Sequence, residues 1–213
     1  ESEDEVEFTA DDFIVEEHNV VIVSRDGWVK RQKEVRDVAS TRLREGDSVL
    51  AVLQGSTRAS VVFFSNFGAA YTARIVDVPA STGYGEPVQK LFKLRDGERV
   101  VAAYSLDPRA SGAIAPVGKG GKSADPDAEP PVQALAVTSD GYSLRFSFEP
   151  FLEPSTRAGR RFARPADGAE VVGVARLTGD EVVIAATAEA RAMLCRADEV
   201  NYLSDRKSTR LNS

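Results

Sequence analysis

The stretch VVIVSRDGWVKR, residues 20–31, has the pattern of a tight β-hairpin. A β-branched run at residues 20–23 is followed by an Asp26-Gly27 turn and by a second short apolar run at residues 28–29. Gly27 can adopt the positive φ angle that a tight reversal needs, and Asp26 tolerates the neighbouring turn position. The stretch therefore predicts two antiparallel strands, the second of which ends in basic residues.

The same pattern returns three times along the chain. VVFFSNFGAAYTAR at residues 61–74 and LAVTSDGYSLR at residues 135–145 are close copies, and VVIAATAEARAMLCR at residues 182–196 is a looser one. Further strands are predicted at residues 88–94 and 100–106. No segment keeps an apolar period of 3.6 residues, so almost no helix is expected. A recurring hairpin between short strands predicts an all-β, propeller-like array of four-stranded blades, with about three complete blades and a truncated fourth.

The composition divides the chain into unequal parts. Residues 1–17 hold nine acidic and no basic side chains, which predicts an acidic leader or linker. Residues 18–204 form the predicted domain, interrupted at about residues 107–131 by a Pro-, Gly- and Lys-rich flexible insertion. The last nine residues, DRKSTRLNS at 205–213, leave the repeat pattern and resemble translated adapter sequence. We expect this segment to be a foreign or disordered tail.

The net charge of −6 comes from the acidic leader, and the predicted domain itself is nearly neutral. A nucleic-acid-binding face would therefore need basic side chains gathered on one side of the domain. The single cysteine excludes an internal disulfide and fits a reducing compartment. No apolar run approaches the roughly 20 residues of a membrane span. We expect a cytoplasmic chain without a membrane partner.

Enzymatic and metal sites are poorly supported by the sequence. His18 is the only histidine, no G-x-S-x-G motif is present, and one cysteine cannot build a zinc site. Gly121-Lys122-Ser123 resembles part of a phosphate loop, but Pro116 stands where that loop needs its first glycine. We expect no catalytic residues, no metal and no cofactor in this chain.

Basic residues after the hairpins are the candidate binding residues. A guanidinium group binds phosphate through forked hydrogen bonds, and counterion release adds affinity. An isolated basic run is usually a solvated surface, but recurrence after successive hairpins favours a basic rim. Arg74 and Arg145 are predicted to occupy matching positions after the second and third hairpins. The complete predicted set is Lys30, Arg31, Lys33, Arg36, Arg42 and Arg44 in the first unit, then Arg74, Arg145, Arg157, Arg160 and Arg161.

Four pieces of the chain resemble the C-terminal domain of the A subunit of bacterial type IIA topoisomerases, DNA gyrase and topoisomerase IV. They are DDFIVEEHNVVIVSRDGWVKRQ (11–32), VVFFSNFGAAYTARIVDVP (61–79), KLFKLRDGERVVAAYSL (90–106) and EVNYLS (199–204). The resemblance implies a β-pinwheel, a propeller-like disc whose blades exchange strands with their neighbours. It also implies a basic rim that binds and bends double-stranded DNA.

The same resemblance implies partners that lie outside this chain. The breakage-reunion domain of the same subunit carries the catalytic tyrosine, and the topoisomerase B subunit completes the holoenzyme. ATP and magnesium would be used by that full enzyme, an isomerase that changes DNA topology, and a nucleoid-associated location would follow. This chain alone should be inactive.

One departure bears on the activity of the full enzyme. Gyrase A subunits carry a Gln-Arg-Arg-Gly-Gly-Lys-Gly box after the first hairpin, where this chain has STRLREG at residues 40–46. The degenerate box predicts a topoisomerase IV-like or divergent gyrase subunit. The alternative function is a propeller-like protein-interaction module without DNA affinity, which would need an exposed apolar or mixed patch.

Overall fold

The computed structural model describes residues 14–111, 122, 132–179, 181–186 and 192–202. Most of the acidic leader, most of the insertion and the whole C-terminal tail lie outside these residues. The strands are β1 (His18–Ser24), β2 (Trp28–Gln32), β3 (Val49–Ser56), β4 (Ser60–Ser65), β5 (Ala69–Arg74), β6 (Glu86–Pro87), β7 (Val100–Ser105), β8 (Gln133–Thr138), β9 (Ser143–Ser147), β10 (Arg160–Arg161), β11 (Val171–Leu177), β12 (Val182–Ala186) and β13 (Ala192–Arg196). The one described α-helix is the four-residue α1 (Pro108–Ser111).

The strands form four small antiparallel sheets, which we call blades 1 to 4. Their strand orders are β3-β1-β2-β6, β7-β4-β5-β10, β11-β8-β9 and β12-β13. In blade 3 a single bridge between Arg145 and Tyr202 stands where a fourth strand would begin. The predicted all-β array is therefore confirmed, although among the described residues only blades 1 and 2 have four strands. One predicted strand is wrong, because Val88–Lys90 is a 3-10 turn.

The strand pairs that the sequence pattern predicted occur in all four blades, and those of blades 1 to 3 have a glycine in the turn. Gly27, Gly68 and Gly141 have φ angles of 81°, 79° and 88°. The amide of each glycine donates a hydrogen bond to the carbonyl three residues earlier. Only a residue that accepts a positive φ closes this turn without strain, so glycine at these positions sets the register of each strand pair.

Each outer strand is donated by the following unit. Strand β6 comes after the hairpin of blade 2, yet it pairs with β2 of blade 1. Strand β10 comes after the hairpin of blade 3, yet it pairs with β5 of blade 2. The blades therefore exchange strands with their neighbours, as the resemblance implied.

A recurring hydrogen bond fastens each exchanged segment. The donor is the side chain of the fourth residue after the turn glycine, and the acceptor is the carbonyl of an apolar residue that closes a 3-10 turn in the next unit. The pairs are Arg31 Nε with Val78 O (3.1 Å), Thr72 Oγ1 with Phe151 O (2.8 Å), and Arg145 Nε with Val200 O (2.8 Å).

The core lies between successive blades. Neighbouring residues on a strand point to opposite faces, so Phe63 packs towards blade 1 and Phe64 towards blade 3. Phe64 is the centre of an aromatic cluster, with ring centroids 5.0 to 6.0 Å from Phe146, Phe148, Phe151 and Phe162. Because both faces of blade 2 are buried, β4 is a continuous apolar run instead of an alternating one.

Candidate nucleic-acid interface

Lys30 does not lie on the surface. The residue is 1% exposed, and its ammonium donates hydrogen bonds to the carbonyls of Arg42 (2.7 Å) and Gly83 (2.9 Å). Burial, and then the nearby charge of Arg42, lower the pKa of Lys30. The predicted direct contact between Lys30 and phosphate does not fit this placement.

Arg145 is also buried, with 8% of its surface exposed. Its guanidinium donates to the carbonyls of Val200 (2.8 Å) and Asp198 (3.0 Å) and to Gln133 Oε1 (2.8 Å). Burial lowers the pKa of Arg145, against the opposing charge of Asp198. These bonds join blade 3 to the segment that follows the blade 4 hairpin, so Arg145 is placed as an internal clamp.

Arg31 occupies the same position in blade 1. It is half-buried and donates to Asn19 Oδ1 (2.9 Å) as well as to Val78. Arg31 and Arg145 are both the fourth residue after their turn glycine. Arg74 is the sixth residue after Gly68, so the predicted match between Arg74 and Arg145 is wrong by two residues, and the counterpart of Arg74 is Lys33.

The other first-unit cations are exposed on the loop between β2 and β3. Lys33 pairs with Glu17 (3.1 Å) and Arg36 with Glu34 (3.5 Å). The Arg44 guanidinium lies over the Trp28 ring, 4.9 Å from its centroid. Such exposed pairs contribute little and exchange readily with solvent or a ligand. Lys33, Arg36, Arg42 and Arg44 therefore remain available to an anionic partner.

This loop covers the outward face of blade 1. Ile22 pairs with Lys30 across the sheet, so both side chains point to one face. The Lys30 ammonium reaches the backbone of Arg42 on that face. The Arg42 backbone and the Arg44 guanidinium therefore lie over the face of the first blade, whereas Lys33 follows the end of β2 and pairs with Glu17.

A second group of cations lies at the outer edge of blade 2. Arg160 and Arg161 form β10, the outermost strand of this blade, and both are exposed. Arg160 donates to the carbonyls of Pro150 (3.1 Å) and Glu153 (2.8 Å), and Arg157 donates to the carbonyl of Gln89 (3.1 Å). Backbone carbonyls thus hold these side chains in place without neutralising their charge.

Sequence reasoning missed Lys93 as part of this group. The backbone amide of Lys93 donates to the carbonyl of Arg157 (2.7 Å), which joins two exposed loops from different units. We call Lys93, Arg157, Arg160 and Arg161 the outer-edge cluster. The sequence signal for Lys93 was the mixture of basic and apolar residues at positions 90–95. That signal does not place Lys93 next to Arg157, because only the strand exchange brings the two segments together.

An exposed apolar face occurs on blade 4. Ile184 and Leu194 are directly paired and are 74% and 70% exposed, and Val182 on the same face is also exposed. This is the kind of patch that the alternative function requires.

Among the described residues, no group of three or more His, Cys, Asp or Glu side chains could hold a metal ion. No helix in the described part of the chain could span a membrane.

Comparison with known proteins gives a consistent family. The family model "DNA gyrase C-terminal domain, beta-propeller" matches residues 59–107 and 133–188. The A subunit of DNA gyrase from Aminobacterium colombiense is 27% identical over 200 residues, covering 89% of this chain and 22% of that protein. The A subunit of DNA topoisomerase 4 from Caulobacter vibrioides is 27% identical over 92 residues, covering 43% of this chain and 12% of that protein. The chain thus spans about a fifth or less of these relatives.

Solved structures show the same fold. The E. coli ParC C-terminal domain superposes with a TM-score of 0.67 at 21% identity, covering 91% of this chain and 71% of that one. The C-terminal domain of DNA topoisomerase IV gives a TM-score of 0.71 at 18% identity, covering 90% and 55%. With its repeated hairpins, its exchanged strands and these matches, the chain belongs to the family of C-terminal domains of bacterial type IIA topoisomerase A subunits.

Proposed function

We propose that this chain binds and bends double-stranded DNA and presents it to the catalytic core of a type IIA topoisomerase. The observation that carries the proposal is the outer-edge cluster, where carbonyls hold the guanidinium of Arg160 on the exchanged strand β10 and that of Arg157 beside it. Such groups bind phosphate through forked, charge-assisted hydrogen bonds. Recognition would be of the DNA backbone and its deformability, and not of base edges.

Bending follows if one duplex contacts two separate basic regions. The outer-edge cluster belongs to blade 2, whereas Lys33, Arg36, Arg42 and Arg44 lie on the loop between β2 and β3 of blade 1. DNA is stiff on this scale, so a duplex that curves from one region to the other has an elastic cost that the contacts must offset. The proposed partners are DNA, the B subunit and the breakage-reunion domain of the same subunit, in a nucleoid-associated cytoplasmic enzyme. ATP and magnesium would act in that full enzyme.

A topoisomerase IV-like or divergent gyrase subunit is supported by the turn that replaces the gyrase box. In blade 1, Asp47 Oδ1 accepts from the amides of Asp26 (3.0 Å) and Ser48 (2.7 Å). In blade 2, Glu98 Oε1 accepts from Ser65 Oγ (2.6 Å) and Tyr71 Oη (2.9 Å). The LREGD sequence at positions 43–47 is therefore a structural turn that recurs as LRDGE in blade 2, and not a free glycine-rich loop.

The test measures duplex affinity over a range of salt concentrations for the 213-residue chain and two variants. Arg160→Glu with Arg161→Glu reverses the charge of the outer-edge cluster. Arg25→Glu with Arg58→Glu makes the same change in net charge at exposed sites elsewhere. We expect the first variant to lose more than tenfold in affinity at low salt and to flatten the salt slope by about 0.9 for each lost phosphate contact.

The matched variant should stay within about threefold of the unsubstituted chain, because screening limits the influence of distant charges. Equal losses in both variants would mean that net charge alone governs binding, and the outer-edge assignment would fail. Energy transfer between dyes on the two duplex ends would report bending directly.

The second candidate function, a protein-interaction module, is favoured by the apolar face of Ile184 and Leu194. It predicts that the folded chain binds no DNA even at low salt. Any salt-dependent duplex binding that Arg160→Glu with Arg161→Glu removes would contradict it.

A further inference from the structure

The buried ammonium of Lys30 connects two surface loops that are far apart in the sequence. Its acceptors are the carbonyl of Arg42, in the loop between β2 and β3, and the carbonyl of Gly83, in the loop before β6. An ammonium taken out of water is costly unless its protons are hydrogen-bonded. Lys30 lies on the same face of the sheet as buried Ile22, where an apolar side chain would be expected. Lysine at this position therefore implies a role for its two hydrogen bonds, which an apolar side chain could not make.

The loop that contains Gly83 is fastened at both ends. Ser81 donates its amide to the carbonyl of Arg31 (3.1 Å), and its own carbonyl accepts from Gln32 Nε2 (2.9 Å). Gly85 lies so close to the sheet that a Cβ atom there would stand 2.3 Å from the carbonyl oxygen of Val29. The Lys30 ammonium holds the middle of this loop between these two anchors.

Two side chains with affinity for phosphate are carried by the backbone that Lys30 holds. Arg42 is exposed, and Tyr84, next to Gly83, is 55% exposed. A guanidinium group and a tyrosine hydroxyl both donate hydrogen bonds to phosphate oxygens in DNA complexes. Because one nitrogen binds the backbone of both loops, residues 42 and 83 are held next to each other on this face of blade 1.

We propose that Lys30 is a positioning residue that holds Arg42 and Tyr84 as a phosphate-binding pair on blade 1. This inference rests on the proposed DNA binding and goes beyond it, since Tyr84 is a new contact and Lys30 acts from beneath the surface. The pair contacts the backbone of the duplex through one charged and one neutral donor.

The test compares Lys30→Met, Arg42→Ala and Tyr84→Phe in salt-series binding to a long duplex. Lys30→Met and Arg42→Ala should each weaken binding about five- to tenfold and flatten the salt slope by about 0.9. Tyr84→Phe should weaken binding about two- to threefold and leave the slope unchanged, because the tyrosine carries no charge. Adding Arg42→Ala to Lys30→Met should flatten the slope no further, since residues that act as one unit are not additive.

Lys30→Met removes a charge as well as a support, so a second variant separates the two effects. Gly85→Ala keeps the ammonium but forces the loop off the sheet, since its φ of 86° and the close Val29 carbonyl leave no room for a methyl group. Gly85→Ala should weaken binding as much as Tyr84→Phe does. The double variant should bind no more weakly than either single variant. This pair also decides the proposal if Lys30→Met does not fold.

Tyr104→Phe is the matched control, because it also deletes a side-chain bond to an internal carbonyl, that of Val174 (2.6 Å). It should lower stability without changing affinity or salt slope. If Gly85→Ala and Tyr84→Phe bind like the unsubstituted chain, or their effects add in full, the inference is overturned and the proposed function stands. Failure of the unsubstituted chain to bind DNA would overturn both.

Discussion

Arg145 and Arg160 show how the same residue type takes opposite roles in this molecule. Arg145 is clamped between blade 3 and the following segment by three acceptors, whereas Arg160 lies exposed on an outer strand. The segment after the blade 4 hairpin packs over Arg145, whereas Arg160 lies on the outermost strand of blade 2 and stays exposed. Burial in this fold is thus decided by residues about fifty positions further along the chain.

Replacing Arg145 by methionine should lower the free energy of unfolding by about 2–4 kcal/mol. The variant leaves the carbonyl of buried Val200 without its donor and removes the bond to the Asp198 carbonyl. Urea unfolding at neutral pH measures the change. Arg161→Met is the matched control, since that side chain is exposed and its loss should stay within about 0.5 kcal/mol. Equal stability of the two variants would contradict the clamp.

The sequence identified the basic residues but not which of them are buried. Exposure of Arg36, Arg42 and Arg44 agrees with a solvated basic loop. The burial of Lys30 could not be read from its charged neighbours, because it depends on a carbonyl 53 residues away, at Gly83. Spacing from the turn glycine, counted residue by residue, would have separated Arg74 from Arg145.

The hairpin turns differ in how closely their neighbours approach. At Gly68 an added Cβ atom would lie 2.2 Å from the carbonyl oxygen of Ala163, whereas at Gly141 it would meet nothing within 4 Å. Both glycines have positive φ angles, of 79° and 88°. The two positions therefore share a backbone requirement and differ only in packing.

Alanine at these two glycines should separate the backbone cost from the packing cost. Gly141→Ala should lower the free energy of unfolding by about 1–2 kcal/mol, which is the cost of a left-handed conformation for a residue with a Cβ atom. Gly68→Ala should cost roughly 2 kcal/mol more, because the segment around Ala163 must also move. Chemical denaturation of both variants gives the difference, and equal losses would show that the close approach is relieved freely.

Elements with a strong local pattern could be predicted, and the exchanged ones could not. The three close hairpin copies carry β-branched runs around a glycine turn, and all three occur. Strands β6 and β10 are the dipeptides Glu86–Pro87 and Arg160–Arg161, which have no strand pattern of their own. Their conformation is imposed by the edges of β2 and β5, so no reading of the local sequence finds them.

Across the whole molecule, the blades differ in how much of each is buried. Blade 2 is covered on both faces, and Phe63 and Phe64 on its β4 strand are fully buried. Blade 4 consists of β12 and β13 in the described part of the chain, and its Ile184 and Leu194 face is exposed. The serial order of the blades was predictable from the repeats, but these differences in burial arise only from stacking.

Amide hydrogen exchange should follow this difference. We expect the amides of β4 to exchange only through global unfolding, and those of β12 and β13 to exchange at least tenfold faster through local opening. Exchange followed by mass spectrometry or NMR in native buffer measures both. Equal protection in β4 and β12 would show that the array opens as one cooperative unit.

The exchange of outer strands also determines when each blade can be completed during synthesis. Blade 1 needs β6, which the ribosome makes only after the whole hairpin of blade 2, and blade 2 likewise needs β10. Domains generally fold from the N-terminus as they emerge. Here the nascent chain must hold each sheet unfinished until the next unit has left the exit tunnel, so folding follows translation with a delay of one blade.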